Sequence, residues 1–231
     1  MPCAYSKKYK YIIIYSAKCG CTFFRKLFLE LHKDELKGTP TNKWHTLNND
    51  FPIPKNLNNI PKIYLTRNPY TRLVSIFCNK YCGGINKWCL STKFKLKKVT
   101  FREFVIKLCN FKKKKKLNSI DIHINEQSCH FNNNNIHILK LEDFDKSIVD
   151  IYSKLGLTTL IQNINLYIIR GNINKTIKNK ETEYVYDKEY NINNRIFPEY
   201  KYFYDKELLE LVYNLYKDDF INFGYNKYQL D

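Results

Sequence analysis

The chain has 231 residues, with hydrophobic residues at 44%, aromatic residues at 16% and a formal net charge of +17. That length allows one substantial buried core, and the apolar and aromatic content excludes a disordered chain despite the abundance of Lys and Asn. No apolar run reaches the ~18 residues of a membrane span, and MPCAYSKKYK does not have the make-up of a secretory signal.

Tyr11 to Tyr15 is the first expected strand, uncharged, β-branched and aromatic as in a parallel sheet buried on both faces. Lys18-Cys19-Gly20-Cys21-Thr22 follows as a turn of small side chains. Phe23, Phe24, Leu27, Phe28 and Leu31 then recur at helical spacing, with Lys37-Gly38 as the expected stop. A small-residue turn that opens a helix aims backbone N–H groups and the positive end of the helix dipole at an anion. Residues 18–23 are therefore a candidate phosphate or sulfate cradle, or else an ordinary strand-to-helix turn. The nucleotide pattern G-x-x-x-x-G-K-[ST] is absent, because here the lysine precedes the glycine.

An irregular stretch rich in Asn and Pro carries His45. Neutral imidazole is the side chain best matched to taking a proton from a hydroxyl near neutral pH, and the alternative is a surface or core histidine beside Trp44. Lys62 to Thr66 is the second expected strand. It runs into Arg67-Asn68-Pro69, with Asn68 suited to the N-cap and Pro69 to the first helical position. Arg67 at the strand end and Ser75 on the helix could grip one phosphate from two sides; the bland alternative is a capped helix with solvated arginines.

Farther on, Thr100 to Asn110 is an expected helix with Phe101, Phe104, Val105 and Leu108 on one face. Lys112 to Lys116 is a solvated loop or a device that steers an anionic acceptor. Ile136 to Lys140 is the third expected strand, followed by a helix with Ile148, Ile151, Tyr152 and Leu155 as its stripe and Gly156 as its stop. GNINKTIKNKETEYVYD is expected as loop, and DKELLELVYNLYKDDFINFGY as a helix with Leu209, Val212, Tyr216 and Phe220 inward. The order of elements indicates an α/β fold with a central parallel sheet flanked by helices, as a single domain over residues 1–231. Ligands of such sheets collect at the carboxyl ends of the strands, where Lys18 and Arg67 both fall. Eight cysteines, with no pair of C-x-x-C units, are expected as reduced thiols, and no metal is expected.

Lys18-x-Gly20-x-Thr22 resembles the 5′-phosphosulfate loop of the sulfotransferases, and Arg67-Asn68-Pro69-x-x-Arg72-x-x-Ser75 resembles their 3′-phosphate segment, in the same order. Asp121-x-His123-x-x-x-Gln127, Asn174-Lys175-Thr176 and the closing helix also resemble segments of the carbohydrate sulfotransferases of the chondroitin/dermatan and heparan 2-O types. The resemblance implies a P-loop-like sulfotransferase fold. It further implies that 3′-phosphoadenosine 5′-phosphosulfate is the donor, and that the acceptor is a carbohydrate or other hydroxyl compound, anionic ones included. By the same resemblance Lys18 and His45 are the catalytic pair, with His45 as base. Lys18, Cys19, Gly20, Cys21, Thr22, Phe23, Arg67, Ser75 and Lys175 contact the cofactor, and His123 and Gln127 contact the acceptor, unless these last two merely cap and line a loop. Family members of the Golgi carry a membrane anchor, so a cytoplasmic protein and a lumenal catalytic fragment are both open. The rival readings are a basic polyanion-binding protein on an inactive fold of this kind, and a nucleotide kinase. No motif for specific nucleic-acid binding is found.

Overall fold

The computed structural model describes residues 3–36, 54, 59–82, 98–114, 121–131, 135–162, 177–178, 183–191 and 196–230. In chain order the principal elements are β1 (Cys3–Ser6), β2 (Tyr11–Tyr15), α1 (Cys21–Leu31), β3 (Lys62–Thr66), α2 (Pro69–Ile76), β4 (Lys98–Val99), α3 (Phe101–Lys113) and β5 (Ile136–Lys140). They continue as α4 (Phe144–Lys154), α5 (Thr158–Gln162), β6 (Ile177–Lys178), β7 (Tyr190–Asn191), β8 (Ile196–Phe197), α6 (Lys206–Leu215) and α7 (Lys217–Phe223). The chain divides into two compact units, one of Met1–Arg67 with His130–Ile173, the other of Asn68–Cys129 with Asn174–Asp231.

The first unit holds the central sheet, in the order β1-β2-β3-β5. The strands β2, β3 and β5 run parallel, with Ile13 opposite Ile63 and Leu65 opposite Leu139. All three expected strands are present at the expected residues, and all five residues of β2 are buried. Tyr11, Ile13, Tyr15, Ile63, Leu65 and Leu139 share one core with Phe24, Leu27 and Phe28 of α1 and Phe144, Ile148, Ile151 and Tyr152 of α4. Each such fully buried side chain contributes about 1.5–3 kcal/mol relative to exposure. The fold is therefore α/β with a mostly parallel central sheet flanked by helices. Its antiparallel edge strand β1 was not foreseen.

The helix α1 ends at Leu31, and a 3₁₀ helix, Lys33–Leu36, follows it up to the expected stop at Lys37-Gly38. The ring of His32 is 1% exposed, with Nε2 2.6 Å from the Tyr11 hydroxyl and Nδ1 2.8 Å from Glu35 Oε1. The Tyr11 hydroxyl also lies 2.7 Å from that of Tyr152. Burial pushes the His32 pKa down, against the opposing pull of Glu35. Burial would raise the Glu35 carboxyl, but the Ser6 hydroxyl, the Lys8 N–H and His32 hold it below its ordinary value.

The second unit is built on aromatic packing among α2, α3, α6 and the segments beside them. Tyr70, Phe77, Tyr81, Phe101, Phe104, Phe203, Tyr204 and Phe220 are all in its core. The start of α3 is a capping box: Thr100 accepts from the Glu103 N–H at 3.1 Å, and Glu103 accepts from the Thr100 N–H at 2.9 Å. Its buried face is Phe101, Phe104, Val105 and Leu108, as the periodicity indicates. The closing segment is two helices instead of one, interrupted at Tyr216, whose hydroxyl donates to the Ile124 carbonyl at 2.9 Å. Leu208 is the fully buried residue of its first turn, and the expected Leu209 packs half-buried against the same core. Part of the expected loop is also strand, since β6 pairs parallel with β8. Among the described residues no helix is long and apolar enough to cross a membrane.

Candidate functional site

The carboxyl end of β2 leads into a turn with two residues in the left-handed region, Lys18 at φ 68° and Gly20 at φ 76°. Gly20 is required on two counts. Its φ disfavours any side chain, and a Cβ there would sit 2.7 Å from Leu141 Cδ1. The first bond of the α1 ladder runs from the Phe24 N–H to the Gly20 carbonyl at 3.0 Å. The N–H groups of Cys21, Thr22 and Phe23 therefore precede that ladder, at the positive end of the helix dipole. Thr22 is exposed, Lys18, Cys21 and Phe23 are half-buried, and Cys19 is buried. Phe23 packs edge-on against Phe144 with centroids 4.8 Å apart, which anchors the first turn of the helix.

Arg67 follows β3 directly and is only 8% exposed. Its Nη1 donates to the Lys18 carbonyl at 3.1 Å, so the ends of two adjacent parallel strands are tied together. Lys18, Gly20 to Phe23 and Arg67 thus form one donor-rich set with no acidic side chain among them. Chemically, this set can hold an anion and stabilise negative charge that grows on it.

In the second unit Asn68 caps α2 as expected, accepting from the Tyr70 N–H at 2.9 Å, with Pro69 at the first helical position. Ser75 is buried on that helix. Arg72 is 1% exposed, and its Nη2 donates at 2.9 Å to each of the His123 and Asn125 carbonyls. The guanidinium also lies over the Tyr216 ring at 5.9 Å. Neither arginine of the motif is solvated: Arg67 braces the turn of the first unit, and Arg72 is a buried brace of the second.

His123 and Gln127 part company. His123 is half-buried, with Nδ1 2.5 Å from Asp121 Oδ1. Gln127 is fully buried, and its N–H donates to the equally buried Asp219 at 2.9 Å. Asp219 also accepts from the Ser128 N–H at 2.7 Å and the Ser128 hydroxyl at 2.8 Å. His45 and Lys175 lie outside the described residues. Sequence reasoning missed Arg72 as a brace, Asp219 as an anchor and Asp121 as the partner of His123. Only the last had a local signal, an Asp two residues before the group it holds. Among the described residues no group of three or more His, Cys, Asp or Glu could hold a metal ion.

In comparison with known families, residues 2–226 match the sulfotransferase family. Searches of curated proteins and of solved structures gave no match.

Proposed function

The chain belongs to the sulfotransferase family, and we propose that it moves a sulfuryl group from 3′-phosphoadenosine 5′-phosphosulfate to a hydroxyl of a carbohydrate. The observation that carries this reading is the Gly20-opened helix braced by the Arg67 contact to the Lys18 carbonyl. A set made only of N–H, hydroxyl and cationic donors fits a phosphate ester and would repel nothing on it. When bound, the donor supplies a sulfuryl group already activated by a phosphate leaving group. Lys18, the N–H groups of Cys21 to Phe23 and the Thr22 hydroxyl stabilise the charge that builds on that phosphate. Cys19 and Gly20 shape the turn. Arg67 and Ser75 are assigned to the 3′-phosphate and Lys175 to a further cofactor contact. His45 takes the proton of the attacking hydroxyl, and His123 and Gln127 belong to the acceptor side.

Calorimetric titration with 3′-phosphoadenosine 5′-phosphate, against ADP and without added metal, tests the reading. Binding that needs the 3′-phosphate is expected. Equal binding of both nucleotides, or of neither, would reject it and favour a polyanion-binding protein, which the net charge of +17 also suits. Loss of a positioned base costs roughly 10²- to 10⁴-fold in rate, so His45→Ala should fall in that range with nucleotide affinity unchanged. Normal turnover of that variant would remove His45 from the mechanism.

A further inference from the structure

The turn that opens α1 rests on a residue that neither cofactor motif contains. Leu141, the first residue after β5, extends the sheet by one hydrogen bond, its N–H donating to the Thr66 carbonyl at 2.9 Å. Arg67, next in the chain after Thr66, donates to the Lys18 carbonyl at 3.1 Å. The Leu141 side chain closes the circuit, because an ideal Cβ on Gly20 would lie 2.7, 3.5 and 3.7 Å from its Cδ1, Cδ2 and Cγ. The isobutyl group thus fills the space that any other residue at position 20 would need. Three residues farther on, Phe144 packs edge-on against Phe23 and Phe24, with centroids 4.8 and 6.2 Å apart. All of these residues belong to the first unit. The corner after β5 therefore seats both the turn and the first turn of the helix.

Lys18 and Gly20 both stand in the left-handed region, at φ 68° and 76°. A lysine persists there only where its surroundings fix it, and Arg67 on the Lys18 carbonyl and Leu141 against Gly20 supply that constraint. A hydrogen bond weakens steeply as donor and acceptor leave the line, so the tilt of the turn governs how well its N–H groups meet an anion. We infer that Leu141 is a positioning residue for the anion held at the start of α1: the volume of its side chain sets the height and tilt of the Gly20 turn. This rests on the sulfotransferase reading and adds to it a residue that acts on the 5′-phosphate through the turn beneath it.

The experiment titrates the full chain and its variants with 3′-phosphoadenosine 5′-phosphate by calorimetry, with a urea midpoint measured for each. Leu141→Ala leaves a void under the turn and Leu141→Phe overfills it, and each should weaken binding about tenfold. Leu141→Met, close to the native volume, should stay within about threefold of wild type. Gly20→Ala should lose binding, and Leu141→Ala added to it should bring back about tenfold, because the two changes share one space. Ile151→Val, a core change farther along α4, should lower the urea midpoint and leave the dissociation constant alone. If the Gly20→Ala variants do not fold, the three single changes at Leu141 still decide. Equal dissociation constants in the Leu141 variants, a double variant that binds no better than Gly20→Ala, or an Ile151→Val that loses as much affinity as Leu141→Ala would each overturn the inference. Failure of the wild type to bind the nucleotide would instead overturn the sulfotransferase reading.

Discussion

The turn that opens α1 and the loop that carries His123 are each braced by an arginine that donates to main-chain carbonyls, one in each unit. Arg67 takes up the Lys18 carbonyl, and the turn it braces carries the N–H groups of a helix start and the exposed Thr22 hydroxyl. Arg72 takes up the carbonyls of His123 and Asn125, and Asp121 accepts from the His123 N–H, so the loop is held by main-chain contacts from both sides. Two residues of one type, five apart in one motif, thus brace a turn at a helix start in the first unit and a loop in the second.

The comparison breaks most visibly at Arg72. Arg72→Ala leaves two carbonyls of the loop without their donor, each costing ~1–3 kcal/mol if buried, along with a large void. A loss of roughly 3–5 kcal/mol is expected in urea denaturation. An unchanged midpoint would show that the loop is held by something else. Gly20→Ala combines a left-handed backbone penalty with a clash against Leu141, about 2–4 kcal/mol in all. It should also abolish nucleotide binding, and calorimetry of a variant that remains folded separates the two effects. Arg67→Ala removes one charge-assisted contact of about 1.5–3 kcal/mol and should weaken nucleotide binding roughly tenfold to a hundredfold. An unchanged dissociation constant would reduce Arg67 to a brace alone, the counterpart of Arg72.

A smaller effect sharpens the picture of the first unit. His32 is buried with its pKa pushed below the ordinary 6.5, chiefly by desolvation. The unfolded chain therefore binds a proton below that value which the folded chain refuses. Stability should fall as pH drops through 6.5, by at most about 1.4 kcal/mol per pH unit for one group. Glu35, whose folded pKa is depressed, extends the loss in the same direction once pH falls below its ordinary 4.5. His32→Gln should flatten the slope of urea midpoints between about pH 7 and pH 5. A slope that persists in the variant would place the titrating group elsewhere.

Much of the scaffold was legible because its signals are local. The runs Tyr11–Tyr15, Lys62–Thr66 and Ile136–Lys140 show as strands by their β-branched and aromatic content, and each is a strand at those residues. Asn68-Pro69 marks a helix start through a side chain two residues from the group it satisfies. The candidate cradle was legible for the same reason, since its donors belong to one turn and one helix start. The break at Tyr216 was not, because a run of apolar and aromatic residues at helical spacing says nothing of a hydroxyl that must reach Ile124.

The sequence by itself determined the three parallel strands, the start of α2 and the small-residue turn that opens α1, because backbone geometry and periodicity act over one or two turns of chain. Tertiary structure alone decided which polar groups are buried and with whom. Tyr11 meets Tyr152 across 141 residues, Arg67 meets Lys18 across 49, and Gln127 meets Asp219 across 92. Such partners carry no mark in the local pattern. A buried polar group must find a hydrogen bond, but only the packed chain brings that partner within reach.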